Sequence, residues 1–277
     1  MPDLAEDSIN WFEMKGIAVR LQGRIVLEKV DWIFGKKEHW AILGGNGAGK
    51  STILRVLAQQ IAYCGGKLRR HPELQGVTQL GWVHLNQPLG LLAQEKLKDR
   101  WEEYSGREQE EQTIRSMFSE YMLAEKESND LLRLMQLDSK VDRPIRGLSN
   151  GEWRKLLLFQ SLIRFPKLLM LDEPFDGLDQ NSSKDFKSLL RELVQHSKLS
   201  LVLVSHRQDE LIPEITDIMG LRNGKMEFSG KRSAVLTEAN LKKLYKSESQ
   251  ASDTGNFKSK IIVSESRNIE DSLVPPI

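Results

Sequence analysis

The chain has 277 residues, of which 39% are hydrophobic and 29% charged, so it can bury a sizeable core in one domain or two closely joined ones. Its 40 lysine and arginine residues almost balance its 39 aspartate and glutamate residues. This balance excludes a global attraction to nucleic acid or to an anionic membrane and leaves only local patches for such contacts.

The amino-terminal stretch MPDLAEDSIN is acidic, whereas a secretory signal needs a basic region followed by an apolar run. No stretch of the sequence approaches the roughly 18–20 apolar residues that cross a bilayer. Cys64 is the only cysteine, which excludes an internal disulfide and a zinc site made of several thiolates, and favours a reducing compartment. We therefore expect a cytoplasmic protein that reaches a membrane only through a separate partner.

Strand and helix signals alternate along the chain, which is typical of an α/β fold with a mostly parallel sheet covered by helices. Short strands are expected within residues 16–34, and a strand at 38–43 runs into a glycine-rich loop that is followed by helical composition at 50–59. Further strands are expected at 79–85, 168–171 and 201–204. The pair Asn223-Gly224 predicts a tight hairpin turn between two strand-like runs, because both residues tolerate positive φ.

Two segments depart from this alternation. From about residue 88 the sequence becomes charged and helix-prone with few β-branched residues, and we expect an inserted helical subdomain over about residues 88–166. Residues 247–277 are polar and poor in large apolar side chains, so they are expected to form a flexible tail. Residues 1–246 then form the functional domain.

The glycine-rich loop predicts a phosphate site. Residues 44–52, GGNGAGKST, fit the pattern G-x-x-x-x-G-K-[S/T] between a strand and a helix. Glycines let successive backbone N–H groups surround an anion, and the helix adds its positive dipole end. A glycine-rich turn without a ligand is the alternative, and the matching flanks argue against it. The predicted nucleotide-binding residues are Gly44, Gly45, Asn46, Gly47, Ala48, Gly49, Lys50, Ser51 and Thr52.

Charged and hydroxyl side chains near this loop predict the chemistry. Lys50 supplies a positive charge for the β- and γ-phosphates, and the Ser51 hydroxyl can coordinate Mg²⁺. Asp172 and Glu173 follow a buried strand and point to opposite sides, at the sheet edge where open α/β sheets place ligands. We expect Asp172 to contact Mg²⁺ or its waters and Glu173 to activate the attacking water. Without the upstream loop, a simple strand-capping turn would be the better interpretation.

A third element decides the class of protein. Ser149 and Glu152 in LSNGE stand in the relation of a capping box, which taken alone indicates an ordinary helix start. Together with the two motifs above, LSNGE resembles the L-S-G-G-Q signature of the ATP-binding cassette (ABC) ATPases. The run FDGLD at 175–179 resembles the loop through which two cassettes communicate, and His206 resembles the switch histidine of that family.

The resemblance covers about residues 16–240 and implies an ABC ATPase domain over residues 1–246. The implied fold is that of a P-loop NTPase, with a mostly parallel sheet core, an antiparallel β subdomain and the inserted helical subdomain. It also implies a homodimer or paired cassette that closes head to tail around MgATP. Ser149 and Gly151 would contact the γ-phosphate of the nucleotide held on a partner's Lys50, and His206 would contact the γ-phosphate as well.

The resemblance also implies a glutamine ligand for Mg²⁺ after the strand at 79–85, which is assigned to Gln87 with Gln94 as the second choice. Two positions depart from the family pattern. Asn150 and Glu152 replace a signature glycine and glutamine, which weakens the expected contact between subunits. Leu21 is aliphatic where the family often stacks an aromatic ring on adenine, so we expect GTP to compete.

Within the family, the sequence is most similar to soluble cassettes associated with molybdate transport and photorepair. We expect an ATPase subunit of a transport system that drives a separate transmembrane permease. The alternative is a soluble ABC ATPase that acts in regulation or nucleic-acid repair, although the net charge does not support a nucleic-acid partner. A nucleotide-dependent binding module that barely hydrolyses ATP is the third interpretation.

Overall fold

The computed structural model describes residues 9–76, 79–84, 112–122 and 126–245. The described strands are β1 (Asn10–Leu21), β2 (Arg24–Gly35), β3 (His39–Leu43), β4 (Gly65–Arg70), β5 (Leu80–His84), β6 (Leu168–Asp172), β7 (Ser200–Ser205), β8 (Asp217–Arg222) and β9 (Lys225–Lys231). The described helices are α1 (Lys50–Leu57), α2 (Ile114–Met117), α3 (Ser119–Met122), α4 (Lys126–Leu134), α5 (Asn150–Leu162), α6 (Gln180–His196), α7 (Arg232–Val235) and α8 (Glu238–Tyr245).

The larger sheet has the strand order β5-β6-β7-β3-β8-β9, in which β9 alone runs antiparallel to its neighbour. Every residue of β6 and β7 is buried, because α5 and α6 cover one face of the sheet while α1 and the strands β1 and β2 cover the other. The mostly parallel α/β core is thereby confirmed. Parallel strands place their carboxyl ends at one edge, so His84, Asp172 and the loop after Leu43 lie along the same edge of the sheet.

The smaller sheet is antiparallel, with the order β2-β1-β4. It packs against the larger sheet through aromatic side chains: the Trp32 ring stacks on Phe34 at 5.5 Å and meets Trp40 of β3 edge-on at 5.4 Å. The strands expected within residues 16–34 are present but longer than the sequence indicated, since β1 begins at Asn10. The sequence did not predict β4, whose only buried apolar residue is Leu68.

Helices α2 to α5 lie in the region expected to form the helical subdomain. The Phe118 and Phe159 rings meet edge-on at 5.2 Å, which ties α5 to the segment after α2. The expected boundary near residue 88 and the tail at 247–277 lie outside the described residues. Among the helices that the structure describes, none combines the length and apolar character of a membrane-spanning segment.

The hairpin turn predicted at Asn223-Gly224 is confirmed, with φ angles of 47° and 77°. This turn also joins the two sheets to the glycine-rich loop. The backbone N–H of Glu28 in β2 donates to the carbonyl of Gly224 at 2.8 Å, and the N–H of Gly224 donates to the carbonyl of Ala48 at 3.0 Å. A Cβ on Gly224 would lie 2.3 Å from the carbonyl oxygen of Val26, so only glycine fits here.

Candidate functional site

The glycine-rich loop connects β3 to α1, as the sequence predicts. Its shape depends on glycine at particular positions: Gly49, the N-cap of α1, has a φ of 101°. A Cβ on Gly44 would lie 2.2 Å from the carbonyl oxygen of Leu221, whereas a Cβ on Gly45 would meet nothing within 4 Å. Gly44 and Gly49 therefore set the backbone path, while Gly45 leaves open space at the mouth of the loop.

Lys50 lies inside this loop and is only 4% exposed. Its Nζ donates to the carbonyl oxygens of Gly44 and Gly45 at 3.0 Å each, and lies 3.0 Å from Oε1 of Glu173. The structure therefore places one buried cation between the phosphate loop and the end of β6. Phosphate oxygens entering the loop would compete with Glu173 for this ammonium group.

Ser51 and Asp172 form a second contact between loop and sheet edge. The Ser51 hydroxyl donates to Oδ1 of Asp172 at 3.0 Å. Burial raises the pKa of Asp172, and the hydrogen bond from Ser51 partly opposes that shift. Its other oxygen, Oδ2, is buried and has no hydrogen-bond partner among the described residues. A hydroxyl beside a carboxylate with an unpaired oxygen is a ligand set that suits Mg²⁺.

Glu173, the next residue in the chain, lies beside Lys50, Asp176 and His206. Its backbone has a φ of 50°, a left-handed conformation that is uncommon outside glycine, and its N–H donates to the carbonyl of Val204 at 3.0 Å. Burial raises the pKa of the Glu173 carboxyl, but the hydrogen bond and charge of Lys50 outweigh it and lower the pKa overall. The side chain is therefore ionised at neutral pH and available to orient or deprotonate water.

His206 and Asp176 complete this side of the site. Ligand atoms of Glu173, Asp176 and His206 all lie within 4.8 Å of one another, and Nδ1 of His206 is 3.6 Å from Oδ1 of Asp176. Burial raises the pKa of Asp176, and the neighbouring Glu173 carboxylate raises it further by hydrogen bonding and repulsion. The structure therefore brings the predicted switch histidine to the predicted water-activating glutamate.

The LSNGE segment forms the helix start that the sequence predicts. Ser149 caps α5: its hydroxyl accepts from the N–H of Glu152 at 3.3 Å, and the Glu152 carboxylate accepts from the N–H of Ser149 at 2.7 Å. Lys140 pairs with the same carboxylate. Glutamate in place of the family glutamine thus has an ionic partner here. Gly151 lies against α6, since a Cβ there would be 3.2 Å from the Ser182 hydroxyl.

Some predicted site residues are not brought together. Among the described residues, the hydrogen bonds of Ser149 stay within the cap of α5, and none of them reaches the loop at 44–52. Gln87 and Gln94, the candidates for a magnesium ligand, lie outside the described residues.

Sequence reasoning also missed two residues beside the site. His84 ends β5 next to Asp172, a position that the rule for the carboxyl ends of parallel strands could have identified. Arg154 is 7% exposed and its Nη2 donates to the carbonyl oxygen of Asp176 at 2.5 Å. Burial lowers the pKa of Arg154. The sequence signal for Arg154 was a charged residue on the apolar face of α5, where an unpaired charge is costly.

Known proteins resemble this chain over most of its length. A family model described as ABC transporter matches residues 27–176. ModF of Escherichia coli, an ABC transporter ATP-binding protein, is 33% identical over 76% of this chain, which spans only 42% of ModF. The zinc import ATP-binding protein ZnuC of Halorhodospira halophila is 28% identical over 88% of this chain and 86% of its own length.

A solved structure shows the same fold. The cbiO1 protein of Clostridium perfringens, part of the ABC transporter complex cbiONQ, has a TM-score of 0.68 with 18% sequence identity, over 85% of this chain and 94% of its own. At that identity the likeness concerns the fold alone. ModF stands beside several other relatives, so the comparisons do not single out cassettes associated with molybdate or photorepair.

Proposed function

Because the chain belongs to the ABC transporter family, we propose that it is the ATP-hydrolysing cassette of a transport system. Family membership makes it a nucleotide-binding P-loop protein. Hydrolysis, the magnesium ion, the paired cassette and the permease are proposals. The observation that carries them is the convergence of Lys50, Ser51, Asp172 and Glu173 at one edge of the sheet.

Lys50 and the loop amides bind the phosphates of ATP in this mechanism. Phosphate oxygens take over the Lys50 ammonium, so Glu173 loses the cation that most lowers its pKa and becomes a better proton acceptor. Glu173 then takes the proton of the attacking water at its carboxylate, and His206 stabilises the transferring γ-phosphoryl group. Ser51 and Asp172 would hold Mg²⁺, which neutralises charge on the phosphate oxygens when bound.

A second cassette completes the site in this proposal. The first N–H groups of α5 have no partner within the helix, and its dipole favours an anion. Ser149 and Gly151 sit at that helix start and would meet the γ-phosphate bound by the partner's Lys50. Closure of a homodimer or paired cassette around MgATP, followed by hydrolysis and opening, would then supply mechanical work to a partner.

The relatives favour transport over the alternative role. ZnuC is named for zinc import, and the chain covers 86% of its length. We therefore place this protein at a membrane through a separate permease. A metal ion is one candidate cargo because ZnuC is named for zinc import, and the molybdate expected from the sequence motifs is another. A soluble role in regulation or nucleic-acid repair is the second candidate.

Glu173→Gln tests the catalytic proposal. The variant keeps the shape of the side chain but cannot accept a proton, so we expect MgATP binding to persist while phosphate release falls at least about 100-fold. Light scattering should show a dimer that persists in MgATP. Glu192→Gln, which changes an exposed carboxylate on α6, is the matched control and should turn over normally. Wild-type turnover by Glu173→Gln, or a monomer at saturating MgATP, would contradict the mechanism.

The same trapped variant tests the cellular role. Affinity capture in MgATP should recover a polytopic membrane protein if the transport role holds. Retention on nucleic acid with a steep salt dependence, and no membrane protein, would favour repair or regulation instead.

A further inference from the structure

His84 is the last residue of β5 and pairs in register with Asp172, the last residue of the neighbouring strand β6. This register places an imidazole at the sheet edge occupied by the phosphate loop. The His84 imidazole has no role in the proposed hydrolysis mechanism.

Two buried polar atoms face each other at this point. Nδ1 of His84 lies 3.7 Å from Oδ2 of Asp172, a separation too long for a hydrogen bond. Within the described residues, neither atom has any hydrogen-bond partner. Buried polar atoms are nearly always paired, so a facing pair without partners points to a group that is bound between them.

The imidazole is also fixed in orientation. Its ring stacks on Trp82 with centroids 5.7 Å apart and planes only 10° from parallel. Ser51 meanwhile engages the other oxygen of Asp172 and leaves Oδ2 turned toward His84. A ligand whose position is fixed before binding loses little entropy when the ion arrives.

The separation fits a shared cation. Two ligand atoms about 2.1 Å from one ion lie about 3.0 Å apart at right angles and about 4.2 Å apart when opposite. The 3.7 Å between Nδ1 and Oδ2 lies between these two separations, so a shift of about half an ångström by either side chain brings both atoms to an octahedral ion. An all-oxygen site suits Mg²⁺, whereas an imidazole nitrogen adds affinity for Co²⁺ and Ni²⁺.

We infer that His84 is a direct ligand of the divalent cation bound with the nucleotide and that it shifts the site toward nitrogen-preferring ions such as Co²⁺. The inference rests on the proposed function, because it concerns the cation of that same site. The choice of metal ion at this site would then depend on His84, a residue outside the phosphate loop.

The test uses the full chain with ADP and needs no turnover. Pulsed electron paramagnetic resonance of bound Mn²⁺·ADP should show a nitrogen coupling in the wild type that is lost in both His84→Ala and His84→Gln. Competition titrations should show the affinity for Co²⁺ falling at least about 10-fold in His84→Ala, with a change of less than about threefold for Mg²⁺. His39→Gln, at the opposite end of the parallel strands, is the matched control and should change neither reading.

The outcomes separate the inference from the proposal beneath it. Mn²⁺·ADP bound by the wild type without a nitrogen coupling would overturn the assignment of His84 and leave the ATPase proposal standing. An unchanged ratio of Co²⁺ to Mg²⁺ affinity in His84→Ala would do the same. A folded wild type that binds no labelled ADP would overturn both. Thermal unfolding of each variant shows whether a lost signal reflects a lost ligand or a lost fold.

Discussion

Asp172→Asn should stabilise the protein in the absence of nucleotide and Mg²⁺. Burial raises the pKa of Asp172 above its usual 3.8, so the unfolded chain gives up this proton at a lower pH than the folded chain. The ionised carboxylate therefore costs stability at pH 7, and the cost disappears as pH falls below the pKa of the unfolded chain. Asparagine keeps the size of the side chain and removes the charge.

The unpaired Oδ2 sets the magnitude. An unsatisfied buried polar group costs about 1–3 kcal/mol and an ionised one costs more. Asparagine keeps a polar atom here and removes only the charge, so we expect it to recover about 1–3 kcal/mol. For a chain of this length, each kcal/mol corresponds to about 2–4 °C in Tm, so we expect a rise of about 2–12 °C at pH 7. The rise should shrink steadily as the pH is lowered toward 4.

Differential scanning calorimetry measures the difference in Tm between Asp172→Asn and the wild type. Adding MgATP should reverse the sign of this difference. A ligand at 100 times its Kd stabilises the folded state by about 2.7 kcal/mol, and the variant would lose part of that gain with its cation ligand. Asp217→Asn is the matched control, because that carboxylate is equally buried but lies 2.8 Å from the Lys231 ammonium. A Tm for Asp172→Asn at or below that of the wild type, or an equal rise in Asp217→Asn, would refute the reasoning.

Four further substitutions test the architecture of the site. Gly44→Ala should abolish nucleotide binding or folding, because its Cβ would meet the carbonyl oxygen of Leu221 at 2.2 Å. Gly45→Ala should keep the fold, since a Cβ there meets nothing within 4 Å. Equal Tm values for the two variants would contradict this contrast. Ser149→Ala should lower the free energy of unfolding by about 1 kcal/mol through the lost cap, as measured by urea titration. Arg154→Met should leave the Asp176 carbonyl without its donor and lower that free energy by about 1–3 kcal/mol, and an unchanged urea midpoint would count against the contact.

The local structure of the site could be predicted from the sequence because its motifs are contiguous. The loop at 44–52, the capping box at Ser149 and the turn at Asn223-Gly224 each use residue types that a backbone conformation or a ligand requires. Such requirements act over a few residues, so they leave a signal that a reader of the sequence can find. The parallel sheet followed from short apolar runs that suit buried strands, such as β6 and β7.

One element was missed although its signal is local: no helix was predicted for α6, yet Asp179 caps it by accepting from two backbone N–H groups. Other features depend on distant parts of the chain. Strand β4 could not be found, because its backbone pairs with β1 while its side chains carry little apolar pattern. The sequence marks His84 as a strand end and Arg154 as a charge on an apolar helix face, but their partners follow only from the register of β5 with β6 and from the packing of α5 against the loop that contains Asp176.

The turn at Asn223-Gly224 has a practical consequence for anyone labelling this protein. Short polar hairpin turns usually tolerate an epitope tag or a fluorophore, since their tips face solvent. Here the tip holds hydrogen bonds to Glu28 on one side and Ala48 on the other. A peptide inserted at this turn would break the hydrogen bonds that connect the small sheet to the phosphate loop. Weak nucleotide binding by a protein tagged here would therefore be an effect of the tag.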